Sequence, residues 1–496
     1  MKQMKFKILN TSIVAMIVLS SSCDSFLDLD PISDATSTNA YNTASDAEAA
    51  LVGVYDSFQA EYYIWDNIIF SDVMSDNHYA GGDNPEIFAI DNLDIEPVNG
   101  RLFNNWSQLF NAIFKANVVL DKVPMIEDPR IDLGNRRAQI LGEAAFLRAY
   151  HYFQLVNLWG GVPIILTPTS STNPEVTNVP RSSVEEVYNQ IIEDLTFAID
   201  DRLPYTYGSD ASVNKARATR GAALALLAKV YAQKPNRDYA KVVEYADAVI
   251  NSPAGYSLLN DFSHLFDGNH YNNAESIMEV QFVGGPEANF GPQLLLPPSI
   301  SGDTWRKFVT PSRDLVNAFD EEGDIIRKNA SILFESAPWA DEFWSLQVNG
   351  NVPFAYKWKE ANGWASTNRQ YLLRLADIIL LKAEALNELG RTQEALTELN
   401  MIRSRVNLPA VTTNNNDELK LLIEKERRLE LVQEAQRWMD LKRYGRAVEV
   451  MNNLVEIDLR TNQPKDFNMA EHKLILPIPQ QEMNRNPQLN QNPGYN

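Results

Sequence analysis

The chain has 496 residues, 45% of them hydrophobic and 22% charged, an ordinary globular composition long enough to bury a large core without covalent staples. Its formal net charge of −21 repels phosphate backbones and argues against nucleic acid as a partner. The single cysteine, Cys23, rules out an internal disulfide and a thiolate zinc site. Five histidines (His78, His151, His264, His270 and His472) are scattered without HExxH or other ligand spacing, so neither a metal nor a cofactor is expected.

Met1 to Lys7 is basic, Ile8 to Leu19 is mainly apolar, and Ser20-Ser21-Ser22 leads to Cys23. This is the layout of a secretory signal, with an apolar stretch too short to span a bilayer as a mature helix. No later segment is long and apolar enough to span either. The cysteine falls at the cleavage point, and the motif resembles a bacterial lipobox. It departs in one place: Leu19 stands four residues before Cys23, and Ser20 occupies the usual leucine position. The alternative is a plain secretory signal with a free thiol. Residues 1–22 therefore read as a signal peptide, 23–44 as a lipidated tether rich in Ser, Thr and Asn, and 45–496 as one domain.

Helical periodicity begins near Ser45. Arg136 to Leu158 repeats apolar residues at Ile140, Ala144, Leu147, Leu155 and Leu158 and stops at Gly160-Gly161. The next helix is predicted to take Ser182 as N-cap with Glu185 at the capping-box position, and to run to about Asp201. Arg217 to Gln233 and Tyr239 to Asn251 form a pair, the second with a one-face stripe of Tyr239, Val242, Val243, Ala246, Val249 and Ile250. Leu372 to Leu389 and Thr392 to Val406 form another, broken at Gly390. Leu419 to Tyr444 reads as one long charged helix closed by Gly445, with Lys442 and Arg443 in the last turn.

Ala228 and Ala240 lie twelve residues apart, as do Ala383 and Ala395. Small residues at this spacing allow close helix approach in tetratricopeptide hairpins. The expected fold is thus mainly α: a tetratricopeptide-like scaffold near 106–254 and 369–455, with a few short strands. A generic helical bundle is the alternative. Two stretches, 61–105 and 255–368, lack helical period and read as long loop-rich insertions, with a strand at Ser276 to Val283.

The ordered blocks resemble the SusD/RagB family of Bacteroidetes outer-membrane nutrient-binding lipoproteins. Cys23-Asp24-Ser25-Phe26-Leu27-Asp28 is similar to the family's mature start. Gly142-Glu143-Ala144-Ala145-Phe146-Leu147-Arg148-Ala149-Tyr150, leading to Trp159-Gly160-Gly161-Val162-Pro163, is similar to its best-known block. Ala218-Thr219-Arg220-Gly221, Leu373-Arg374-Leu375-Ala376-Asp377, Glu426-Arg427-Arg428-Leu429-Glu430 with Arg437-Trp438-Met439-Asp440, and Asn492-Pro493-Gly494-Tyr495 follow in the family's order. The resemblance implies four tetratricopeptide-like units, a surface-exposed outer-membrane lipid anchor at Cys23 and a SusC-like TonB-dependent transporter as partner. It also implies a non-catalytic role: capture of a nutrient, an oligosaccharide or in some members a peptide. Arg148, Arg374, Arg427 and Arg437 lie among acids and read as buried interhelical ion pairs.

A different class, a surface glycosidase, would need two carboxylates at set separation, and no motif points to such a pair. No GxSxG elbow, P-loop or dinucleotide fingerprint occurs. Asp76-Asn77 with Asp83-Asn84 offers oxygens of the kind calcium takes, but the spacing is not an EF-hand and a polar turn is the stronger reading. A sugar site needs aromatic faces and planar polar side chains. The aperiodic stretches supply both, and the expected ligand residues are Trp65, Asn77 and Tyr79 from the first, with Trp305, Trp339 and Trp344 from the second. Trp358 and Trp364 lie in the same stretch. Trp106, Trp159 and Trp438 fall in helical blocks and are assigned to the core.

Overall fold

The computed structural model describes residues 40–169 and 171–495; the signal segment, Cys23 and most of the expected tether lie outside the described residues. Among the described residues, no helix is long and apolar enough to cross a membrane.

The fold begins with α1 (Ala44–Tyr55), where Thr43 and Asp46 form a reciprocal capping box. α2 (Gly100–Lys122), α3 (Arg136–Trp159), α4 (Val184–Ile199), α5 (Arg220–Gln233) and α6 (Tyr239–Ile250) follow. After a long interval come α7 (Leu375–Glu388), α8 (Thr392–Arg405), α9 (Asn416–Glu430) and α10 (Arg437–Tyr444). α2 packs on α3, α3 on α4, α4 on α5, α5 on α6, α6 on α7, and α7 on both α8 and α9. Each helix therefore buries its apolar face against its neighbours in sequence, giving the mainly α, repeat-like scaffold the periodicity predicts. Trp106, Trp159 and Trp438 are in the core, as expected.

Several boundaries differ from expectation for identifiable reasons. The cap of α4 is Ser183 with Glu186, one residue later than predicted, because the Ser182 amide is drawn away to the Val162 carbonyl at 3.0 Å. There the chains approach so closely that a Cβ on Gly161 would sit 2.2 Å from the Ser182 carbonyl oxygen, so only glycine fits. Leu372, Leu373 and Arg374 are not helical. Ser276–Val280 pairs antiparallel with Gln370–Arg374, and this pairing claims the start of the apolar run that reads as helix in one dimension. Ala383 and Ala395 are both buried as the hairpin argument requires, but Ala240 is exposed, and α6 meets α5 through Val242, Val243 and Ala246 instead.

The long charged helix is two. α9 ends at Glu430 and α10 starts at Arg437, with Gln433 (φ 61°) and Ala435 (φ 57°) in left-handed conformation between them. Buried charges hold the break: the Asp72 carboxylate accepts the Gln433 amide at 2.9 Å, and Glu434 reaches both Arg374 and Lys357. Gly445 (φ 69°) closes α10 as predicted.

The stretch 61–105 is also not a loop. It forms wide π-type turns at Tyr62–Asp66 and Ile69–Val73, a short strand at His78–Ala80 and a helix at Pro85–Asp91, and most of it is buried. Hydrogen bonds of the i→i+5 kind shift side chains off the 3.6-residue period, which hides such turns from a search for that period.

The ion pairs are where the arginine-rich blocks predicted them. Arg148 pairs with Asp194; Arg427 bridges Asp377 and Asp440; Arg374 joins Glu275, Glu430 and Glu434.

Candidate ligand-binding site

The second aperiodic stretch builds the surface of interest on short strand pairs. Val309–Pro311 pairs antiparallel with His78–Ala80, and Ile332–Ser336 with Asn351–Ala355. Arg306 ties the first pair to the connection between the two strands of the second, donating from Nη2 to Asp341 Oδ2 at 2.9 Å and from Nη1 to Glu342 Oε2 at 2.6 Å.

Three of the six expected ligand residues are structural. Trp65 is only 3% exposed, its Nε1 donating to Glu61 at 3.1 Å and its ring covered by the Arg101 guanidinium at 4.6 Å. Asn77 is fully buried: Nδ2 donates to Asp72 at 3.0 Å, and Oδ1 accepts from Arg428 Nε at 2.9 Å. The Tyr79 hydroxyl, also fully buried, donates to Asp341 Oδ1 at 2.7 Å. None offers a free face to a ligand. Their sequence neighbourhood lacks helical period because it forms π-turns and a strand, not because it is exposed.

The calcium alternative closes in the same region. Asp76 is clamped by Arg437 and Arg428, and although burial alone would raise its pKa, these guanidinium groups hold it well below the usual carboxylate range. Asn84 caps the helix at Pro85–Asp91 by accepting the Glu86 amide at 2.8 Å.

The other three residues are half-buried and divide into two groups. Trp344 donates from Nε1 to the Pro311 carbonyl at 3.0 Å and lies beneath the Arg313 guanidinium at 4.3 Å. Trp339 meets Phe354 edge-on at 6.0 Å, over a small cluster with Ala337 and Val352. Trp305 packs instead beside the main core and lies nearly parallel to Trp364, with centroids 6.4 Å apart and planes at 27°. Lys307 Nζ sits 3.7 Å from the Trp305 ring centroid, donates to the Gln293 carbonyl at 3.0 Å, and is pushed down to about 8 by burial.

Trp364, like Trp358, lies in the stretch but is not among the six expected ligand residues. It is 48% exposed, the most exposed of the tryptophans. It follows Asn362 (φ 48°) and Gly363 (φ 60°) and itself has φ 76°, a left-handed run that a bulky residue adopts only when its surroundings impose it. Buried Gln293 helps impose it. Its Oε1 accepts the Trp364 amide at 3.3 Å while its Nε2 donates to the Ser301 carbonyl at 2.8 Å. Glu360 secures the far side, accepting the Thr367 amide at 2.7 Å and the Ser366 hydroxyl at 2.8 Å. The result is an offset, partly exposed aromatic pair in which Trp364 stands on a loop held at both ends and Trp305 comes from a separate segment. A cavity lined by Trp358, Arg369 and Gln370 holds only about 50 Å³, and neither Trp305 nor Trp364 lines it. A larger concavity, about 690 Å³, lies on the helical side among Tyr188, Arg237, Tyr239 and Lys442.

Comparison with known proteins agrees with this architecture. Residues 343–495 match the model of the SusD family, and residues 25–232 match one described as "Starch-binding associating with outer membrane". SusD-like protein P38 of Formosa agariphila is 29% identical, the alignment covering 99% of this chain and 100% of that protein. A SusD-like protein of Bacteroides ovatus is 25% identical over 88% of this chain and 82% of its own. Among solved structures, a laminarin-binding SusD-like protein superposes with a TM-score of 0.74 at 28% identity, covering 92% of this chain and all of the other. A SusD homolog from Bacteroides thetaiotaomicron shares the fold with a TM-score of 0.75 at 24% identity, covering 93% and 99%. The chain belongs to the SusD/RagB family.

Proposed function

We propose that this protein is a lipid-anchored, surface-exposed outer-membrane protein that captures an oligosaccharide and delivers it to a SusC-like TonB-dependent transporter. The observation that carries the reading is the Trp305–Trp364 pair: two near-parallel rings, of which the well-exposed Trp364 stands on a loop whose strained backbone is locked by Gln293 and Glu360. Pyranose rings carry apolar C–H faces that lie against aromatic rings, while flanking carboxylates and amides accept and donate to hydroxyls. A pre-set surface of this kind binds without remodelling, which keeps the ordering cost of association low. Similarity to a laminarin-binding SusD-like protein supports a glycan as the ligand class.

The arrangement serves binding, since ring faces supply contact area and no proton or nucleophile. Titration calorimetry against laminarin, starch and other oligosaccharides, with peptides as the competing class, tests the reading. Saturable binding of one glycan class that weakens in Trp364→Ala supports it. Binding of peptides only, glycan binding indifferent to Trp305 and Trp364, or release of reducing ends by the pure protein overturns it. Co-purification from detergent extract with a β-barrel protein tests the transporter assignment separately.

A further inference from the structure

The turn from Asp261 to His270 gathers groups that glycan capture does not use. His264, Asp267 and His270 are spaced three residues apart. The chain here is a short 3₁₀ turn at Phe262–Leu265 followed by a tight bend through Gly268 (φ 77°), and this brings them together. One ring nitrogen of each histidine and one carboxylate oxygen of Asp267 lie within 4.8 Å of one another. The two imidazoles stack with centroids 3.8 Å apart and planes at 12°.

The frame is firm. Phe262 and Leu265 are buried in a cluster with Ala330, Val406 and Leu408. Asp267 Oδ1 accepts the amides of Asn269 and His270 at 2.8 and 3.2 Å, while Oδ2 faces His270 Nδ1 at 2.7 Å. Asp261 places a second carboxylate 3.7 Å from His264 Nε2.

We propose that His264, Asp267 and His270 bind one divalent transition-metal ion of the zinc or nickel class. Two imidazoles and a carboxylate suit such ions, whereas calcium takes oxygen ligands. Metal–ligand bonds of about 2.0–2.2 Å would draw the donors to roughly 3–3.6 Å from one another. The side chains of His264 and His270, 43% and 46% exposed, have room to turn toward a shared ion. Asp261 stands close enough to orient His264 or to add a fourth ligand. The proposal is independent of the glycan reading.

The test is titration of untagged protein, with Cys23→Ser to remove the thiol, by Zn²⁺ and by Ni²⁺, with Ca²⁺ as control. One-to-one saturable Zn²⁺ binding is expected, weakened at least about tenfold by His264→Gln or by His270→Gln and abolished in the double variant. Replacing Co²⁺ for Zn²⁺ should give a visible d–d spectrum that the double variant lacks. All variants keep the wild-type circular dichroism spectrum, because both side chains are at the surface. Absence of saturable Zn²⁺ binding, or binding unchanged in the double variant, overturns the assignment.

Discussion

Arg437 closes on Asp76 through two parallel hydrogen bonds, Nε to Oδ1 at 2.7 Å and Nη2 to Oδ2 at 2.8 Å, across 361 residues of sequence. Both side chains are buried, and Glu424 adds a second carboxylate 3.1 Å from Arg437 Nη1. The pair fastens the start of α10 to the segment just before the strand at His78–Ala80, whose partner strand Val309–Pro311 follows Trp305 by four residues.

Removing one partner should be strongly destabilising. Asp76→Ala leaves Arg437 buried with only part of its countercharge, and the expected loss is about 3–5 kcal/mol. Arg437→Met in the same background should restore part of it, because the uncompensated charge goes with it. Urea unfolding of the two single variants and the double variant measures this, and strict additivity would show that the pair is uncoupled.

Trp364→Ala should leave the fold intact, since nearly half the residue is exposed, and weaken glycan binding by about 1–3 kcal/mol. Gln293→Ala should weaken binding too while costing stability, because it frees the Trp364 loop and leaves the buried Ser301 carbonyl without its partner. Calorimetry paired with thermal unfolding separates the two effects.

Tyr79→Phe gives the opposite pattern. The hydroxyl serves Asp341, which also holds Arg306, so its loss should lower stability by about 1–3 kcal/mol while the glycan Kd stays unchanged. A large rise in Kd with unchanged unfolding would return Tyr79 to the binding surface.

Glu456 is predicted to make stability fall as pH rises. Burial lifts its carboxyl to about 8; Lys465 opposes the shift and Asp91 adds to it. Its folded pKa therefore exceeds the unfolded value of 4.5, so the folded state binds the extra proton between those two values. Stability is lost through that window by at most about 1.4 kcal/mol per pH unit, and no further above pH 8. Glu456→Gln should match wild type near pH 4.5 and be the more stable protein at pH 9; denaturant melts at both values decide.

Cys23→Ala should release the protein from the membrane fraction if, as proposed, acyl chains on that residue form the anchor, at about 0.8 kcal/mol per buried methylene. Cell fractionation checks this, and retention of the variant in the outer membrane would sink the anchor.

Much of the scaffold is legible in one dimension because helix packing obeys a short-range rule. Stripes such as Val242 to Val249 and the Gly445 stop lie within a few residues of what they govern. The same locality explains where the reading of Leu372 to Arg374 and of Leu419 to Tyr444 goes wrong. A strand partner almost a hundred residues away takes the first, and a buried cluster of Asp72, Arg374 and Glu434 breaks the second.

Composition and order of blocks alone determine the mainly helical class, the signal-like N-terminus, the family resemblance and the pairing of arginines with acids. Tertiary structure decides which aromatic is a bolt and which is a surface. Trp65, Asn77 and Tyr79 sit in aperiodic sequence much as Trp305 and Trp364 do, yet the first three are enclosed by Arg101, Arg428 and Asp341. Exposure is a sum over everything that packs on a residue, and most of that packing comes from chain far away. The stacked His264 and His270 make the same point at a smaller scale: their spacing acquires chemical meaning only when Gly268 bends the backbone between them.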